Sequence, residues 1–166
     1  REHTFKIAKS IKKICDELKI SWIFKACYDK DCRSSINSYH GVGISEGLKI
    51  LSDVRDAFNI PVVSDFSDSS WASETAEVCD MIQIPAYLCR QTSVLRAAAL
   101  TKKPIHLKKG QFMSPWNIKN SVKKIESFGN KRILLTDRGT FFGYNMLVND
   151  MKSLPIMAET GYPVCF

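Results

Sequence analysis

Nowhere does the sequence run apolar for the roughly 20 residues that a membrane-spanning helix needs. Its opening residues, Arg1-Glu2-His3-Thr4, do not read as a secretory signal. Low-complexity tracts, sequence repeats and long linkers are missing too. Cys15, Cys27, Cys32, Cys79, Cys89 and Cys165 include no C-x-x-C pair, and most lie inside apolar runs. A chain of 166 residues with 45% hydrophobic content can build a core without disulfides, so reduced thiols in a cytoplasmic protein are expected. Cys27 and Cys32 with His40 match no standard zinc spacing and lack a fourth ligand, so no metal site is expected within the chain. Gly41-Val42-Gly43 lacks the third glycine and the preceding strand of a nucleotide fingerprint. His3, His40 and His106 have no matching partners for a Ser-His-Asp arrangement. Acidic residues are the scarcer charge: 17 against 24 basic ones leave a net +7. That sign suits phosphate-bearing partners. Aromatic residues spaced like core, not interleaved with basic ones, argue against nucleic acid.

What the sequence does have is a regular alternation of element types. Phe5, Ala8, Ile11, Ile14, Cys15 and Leu18 fall at a helical period, predicting a helix over 5–18. Residues 20–24 are short, apolar and β-prone, and a polar loop over 28–43 follows. Ile44, Leu48, Leu51 and Val54 mark the next helix. Further strands are expected at 60–64, 81–84, 105–107, 132–136 and 163–166, with helices near 70–78, 92–100, 115–127 and 145–159. Gly129-Asn130 and Gly161 mark helix ends. Such alternation means an α/β fold with a parallel sheet and helical crossovers, in one domain over 1–166.

Polar residues then choose between an open doubly wound sheet and a closed barrel. Lys25, Asp65, Gln83, Lys108 with Lys109, and Asp137 with Arg138 each lie at or just after the end of a predicted strand. A parallel barrel gathers all its C-terminal strand ends on one face, whereas an open sheet spreads them along an edge. The expectation is therefore a (β/α)8 barrel. With about six of its eight strands present, the domain is expected to be an incomplete barrel, lacking the first strand and the last part.

Lys25, Lys30, Arg33, Lys108, Lys109 and Arg138 form a cationic set with few carboxylates beside them in sequence. A dianionic phosphate needs convergent cations, and Arg can grip it through two parallel hydrogen bonds. The plain alternative is solvated surface charge. It is the weaker reading for Lys25, Lys108 and Arg138, each following an apolar run. It is an even one for Lys109, because adjacent strand residues point to opposite sides. Arg33-Ser34-Ser35 offers a guanidinium and two hydroxyls for a second phosphate, or a plain surface turn.

Several motifs, in order, resemble the octulosonate-8-phosphate synthases: Phe24-Lys25-Ala26, then Asp29-Lys30, Arg33-Ser34-Ser35, and Ser38-Tyr39 with Gly41. The resemblance continues through Gln83-Ile84-Pro85-Ala86-Tyr87-Leu88-Cys89-Arg90-Gln91-Thr92 and Lys108-Lys109-Gly110-Gln111-Phe112. It ends with Asp137-Arg138-Gly139-Thr140, Phe142-Gly143-Tyr144-Asn145 and Leu154-Pro155-Ile156-Met157. The resemblance implies a transferase with aldol-type chemistry, in which phosphoenolpyruvate condenses with arabinose 5-phosphate in the synthesis of a lipopolysaccharide sugar. It further implies that Gln83, Pro85, Ala86, Lys108 and Arg138 hold phosphoenolpyruvate, with Lys30 near its reacting end. Arg33 and Ser34 are implied for the pentose phosphate, reaching into a neighbouring subunit of a homo-oligomer (a tetramer by resemblance), and Lys25 and Asp65 for the sugar site. By the same resemblance a divalent metal is possible in the full-length enzyme, with ligands outside this chain.

Departures from the family pattern are local. Cys27 stands where the family has Ser, Cys32 where it has Asn, Ser67 where it has His, and Val42 where it has Pro. Three readings follow: a synthase using arabinose 5-phosphate, the sister enzyme using erythrose 4-phosphate, or a non-catalytic remnant that keeps a phosphate-binding face.

The chain alone is expected not to catalyse the condensation, because six parallel strands cannot close an eight-stranded barrel and both edges stay open. Purified chain mixed with both substrates, with and without divalent metal, should release no phosphate above the uncatalysed rate. Turnover at the rate of an intact synthase would overturn this expectation.

Overall fold

In the computed structural model, which describes residues 1–166, the first element is helix α1 (Glu2–Leu18). It ends where Lys19 turns left-handed, at φ 56°, and its N–H bonds back to the last turn. Only Ala8 of this helix is fully buried. Phe5 rests on Phe58 with ring centroids 5.8 Å apart, and Arg1 pairs with Asp53 at 2.7 Å.

Strand β1 is shorter than expected. Only Phe24–Lys25 pairs, in register Phe24↔Val62 and Lys25↔Val63. Residues 20–23 are apolar but have no ladder partner, and Ile20 and Ile23 stay exposed. An apolar run becomes a strand only where a neighbour completes its hydrogen bonds.

The alternation then holds along the chain. Helix α2 (Ile44–Phe58), strand β2 (Val62–Asp65), helix α3 (Ala72–Val78) and strand β3 (Met81–Ile84) are followed by helix α4 (Thr92–Leu100) and strand β4 (Ile105–Lys108). Helix α5 (Ile118–Ser127) and strand β5 (Ile133–Thr136) complete the regular part. Single 3-10 turns precede α3 and α5, so those helices begin two or three residues later than expected. Asp68 caps the first of these turns by accepting the Ser70 N–H at 2.8 Å.

Of the expected helix over 145–159 only the later part forms. The chain instead forms a hairpin of β6 (Thr140–Phe141) and β7 (Leu147–Val148), followed by a short helix α6 (Ser153–Ala158). Gly143 and Asn145 both take positive φ, 66° and 56°, which turns the chain back so that the Phe142 N–H reaches the Met146 carbonyl at 3.0 Å. Residues in that conformation cannot continue a right-handed helix. Strand β8 (Val164–Cys165) follows α6.

The main sheet has the order β1-β2-β3-β4-β5-β8, parallel throughout, with crossovers as in an incomplete (β/α)8 barrel. Val62, Ile82, Ile84, Ile105, Leu107 and Leu135 all point to one side and are fully buried. Leu51, Val54, Leu95, Ala98, Ile118 and Ile125 from α2, α4 and α5 meet them there in one core. None of the helices is long and apolar enough to cross a membrane.

Tyr28 anchors the long loop after β1 to this core. It is buried, its hydroxyl meets Thr75 Oγ1 at 2.8 Å, and α2 passes it at Gly47. A Cβ at Gly47 would lie 2.1 Å from Tyr28 Cβ and 3.0 Å from its Cα. Gly47→Ala should therefore destabilise the fold by about 1–3 kcal/mol through overpacking. A urea midpoint equal to that of the parent would show that the loop yields freely.

Candidate functional site

Register fixes which side chains share a face. Residues paired across parallel strands point the same way, and successive residues alternate. One row runs Asp65↔Gln83, Gln83↔His106 and His106↔Leu134, and the next runs Lys108↔Thr136 and Thr136↔Cys165. Lys25 pairs with Val63, two residues before Asp65, and so joins the same side. The face turned away from the helices thus carries Lys25, Asp65, Gln83, His106, Lys108, Thr136 and Cys165.

Asp65 organises one end of this face. Its Oδ1 takes Lys25 Nζ at 3.1 Å and its Oδ2 takes Lys30 Nζ at 3.4 Å, while the Cys27 thiol also donates to it. Burial alone would raise its pKa, but Lys25, the Cys27 hydrogen bond and Lys30 together hold it below the usual carboxylate value. Burial pulls Lys30 down, but Cys27 and Asp65 outweigh it, so Lys30 stays ammonium. The cationic set is therefore less bare of carboxylates than its sequence neighbourhood suggests.

Lys108 is different. It is half-buried and has no carboxylate contact. Burial lowers its pKa, and the fields of Lys25, Arg138 and Lys30 lower it further, with Asp65 opposing. Such a site gains from any anion that lands beside it. Gln83, on the neighbouring strand, is 2% exposed and its Oε1 has no partner. Pro85 and Ala86, buried, begin a 3-10 turn directly after β3. A small cleft beside them is lined by Lys30, Cys32, Asp65, Ser67, Pro85 and Tyr87. Arg138 is exposed just past β5.

Arg33 and Ser34 are not drawn into this cluster. Both are exposed in the loop between Lys30 and Ser38, where the Arg33 N–H bonds the Lys30 carbonyl at 3.2 Å.

Two features escaped the sequence. The first is His106, whose Nε2 bonds Thr136 Oγ1, with Cys165 Sγ at 2.7 Å from that hydroxyl and 3.9 Å from the ring nitrogen. Burial, then Lys108 and Lys25, lower its pKa from 6.5 to about 4, so the ring is neutral at pH 7. Its position two residues before Lys108 on the same strand was the available signal. The second is Lys109. It is fully buried, with Nζ 3.3 Å from Asp137 Oδ1, so the surface-charge reading of this residue is wrong. Adjacent to Lys108, it points to the opposite side, beneath the loops that follow β4 and β5.

Comparison with known proteins gives one consistent answer. The model of the DAHP synthetase I family matches residues 1–166. The chain is 50% identical over 165 residues to the 2-dehydro-3-deoxyphosphooctonate aldolase of Rickettsia bellii (strain OSU 85-389), covering 99% of this chain and 60% of that one. It is 52% identical over 163 residues to the protein of the same name from Geobacter sp. (strain M21), covering 98% and 60%. With that of Protochlamydia amoebophila it shares 48% over 164 residues, covering 99% and 60%. The chain spans about 60% of the length of these relatives.

His106 generates a pH prediction. A pKa lower in the folded state than in the unfolded one stabilises the fold above pH 6.5, and that contribution is lost as pH falls from 6.5 towards about 4. The loss should reach roughly 3 kcal/mol at most. His106→Asn should flatten stability against pH in this window, measured by urea titration at successive pH values. Parallel curves for the two proteins would count against the buried neutral ring.

Proposed function

The chain belongs to the DAHP synthetase I family, and from that premise we propose that it carries the phosphoenolpyruvate and sugar-phosphate sites of an octulosonate-8-phosphate synthase. The reaction condenses phosphoenolpyruvate with D-arabinose 5-phosphate, giving 3-deoxy-D-manno-octulosonate 8-phosphate and phosphate. Relatives about half identical along the whole chain bear the name of that activity. The observation that carries the reading is Lys108: a half-buried cation at the end of β4 with no counter-ion, depressed by burial and by three further cations. An enolpyruvate phosphate supplies the missing charge.

In this reading Lys108 and Arg138 grip the phosphate and carboxylate of phosphoenolpyruvate, and Gln83, Pro85 and Ala86 shape the floor beneath it. C3 of the enol attacks the aldehyde carbon of the pentose, water adds at C2, and phosphate leaves with cleavage of its C–O bond. Charge that develops on the enolpyruvate and phosphate oxygens meets fixed cations, which cost no reorganisation at the moment of reaction. Lys30, kept as ammonium by Cys27 and Asp65, stands near the reacting end. Lys25 and Asp65 line the sugar subsite. Holding two anions against one another supplies much of the remaining rate enhancement. Arg33 and Ser34, exposed on their loop, hold the pentose phosphate by reaching to a neighbouring subunit of a cytoplasmic homo-oligomer.

No three His, Cys, Asp or Glu side chains converge to offer a metal a donor set. No step here passes through a divalent ion. A second reading, binding without turnover, draws support from the Cys27 thiol, which occupies Asp65 Oδ1 in the sugar subsite.

Calorimetric titration of the chain with phosphoenolpyruvate tests the first site. Arg138→Met and Lys108→Met should each weaken binding by about tenfold or more, the scale of a lost charge-assisted hydrogen bond. Affinity indifferent to both changes sinks the assignment. In an enzyme completed with the flanking segments of a relative, Arg33→Ala should raise the KM for arabinose 5-phosphate by about a decade or more and leave that for phosphoenolpyruvate unchanged. The reverse pattern means that the two subsites are exchanged.

A further inference from the structure

We propose that Lys109, together with Asp137, is a positioning residue that sets the spacing of Lys108 and Arg138 without touching substrate. The inference rests on the phosphate site proposed above and deepens it.

Lys109 and Asp137 directly follow β4 and β5. The Lys109 N–H donates to the Thr136 carbonyl at 2.9 Å and the Asp137 N–H to the Cys165 carbonyl at 3.0 Å, so the parallel ladder continues through both. Their side chains meet behind the sheet, fully buried, at 3.3 Å. The ammonium is also surrounded by the carbonyls of Gly110, Met113 and Gly139, at 3.2, 3.2 and 3.0 Å, and by Thr140 Oγ1 at 3.3 Å. One nitrogen thus ties the loop after β4, the end of β5 and the start of the β6–β7 hairpin. Gly139, with φ 86°, provides the left-handed turn that brings its carbonyl to this point. Asp137 Oδ1 has no hydrogen-bond partner and depends on the charge of Lys109 alone.

The neighbours of this pair are the two cations of the phosphate site: Lys108 precedes Lys109 and Arg138 follows Asp137. Alternation sends both to the side opposite the buried pair. Lys108 and Arg138 carry like charges at neighbouring strand ends, and Arg138 adds to the burial and the Lys25 field that lower the pKa of Lys108. Two strand ends carrying like charges on one side spread unless something draws them together, and the attraction between Lys109 and Asp137 acts across the same two ends. An attractive pair behind the backbone therefore holds a repulsive pair in front of it together, against the spreading that like charges favour.

A purely structural role makes a different prediction, because a buried ion pair can often be replaced by apolar residues at little cost in stability. The test is the double variant Lys109→Met/Asp137→Leu, compared with the parent chain by urea midpoint, by calorimetric titration with phosphoenolpyruvate, and by NMR titration of lysine side chains. The expected result is a midpoint near that of the parent, with phosphoenolpyruvate affinity down about tenfold and the Lys108 titration moved back towards that of an ordinary lysine as Arg138 drifts away. A folded double variant with parental affinity and parental Lys108 titration overturns the proposal. If the double variant does not fold, Asp137→Asn, which leaves Lys109 its four uncharged oxygen partners, is read against the same two outcomes. If the parent itself binds no phosphoenolpyruvate, the functional reading falls, and the Lys108 titration alone decides the positioning role.

Discussion

Because β2 to β5 pair in parallel with matched faces, a residue's parity along its strand decides whether it meets the helices or the polar side. Ile82 and Ile84 join the core, whereas Gln83 between them faces His106 across the ladder. Ile105 and Leu107 do the same on β4, and His106 and Lys108 take the other face. A shift of one residue in any one ladder would put a charged or amide side chain among the leucines and isoleucines. Hydrophobic burial thus specifies the site indirectly: the core selects the register, and the register selects what converges opposite.

On that polar face the charges are unevenly matched. Asp65 balances Lys25 and Lys30, and Asp137 balances Lys109 behind the sheet. Lys108 and Arg138 have no such partner. The surplus is local, at the C-terminal ends of β4 and β5. His106 stays neutral in the same field because burial and the adjacent lysines oppose its protonation.

Much of this was legible in the residues. The bounds of β3 and α4 match the sequence reading, since Met81–Ile84 and Thr92–Leu100 carry their own periodicity and punctuation. The parallel sheet and the convergence of Lys25, Asp65, Gln83 and Lys108 followed from polar residues at strand ends. What could not be read was decided by partners distant in the chain. Residues 20–23 look like a strand but find no ladder, and 145–159 looks helical until Gly143 and Asn145 turn left-handed. Lys109 is indistinguishable from a solvated lysine until five oxygens from four residues downstream of it and its neighbour Gly110 are seen around it. The exposed Arg33 and Ser34 show the opposite limit, a motif that the chain's own packing does not draw into the cluster.

The order of strands in the sheet has a kinetic side. Every strand of β1-β2-β3-β4-β5-β8 lies beside the sheet strand that precedes it along the chain, apart from the local hairpin inserted before β8. Closing each new ladder requires only the loop of one intervening helix, and loop-closure entropy grows slowly with length. Assembly by successive addition avoids the distant searches that slow folds of high contact order. Earlier segments can therefore begin to pack before later ones emerge, and on the polar face the lysine cluster around Asp65 is laid down before β8.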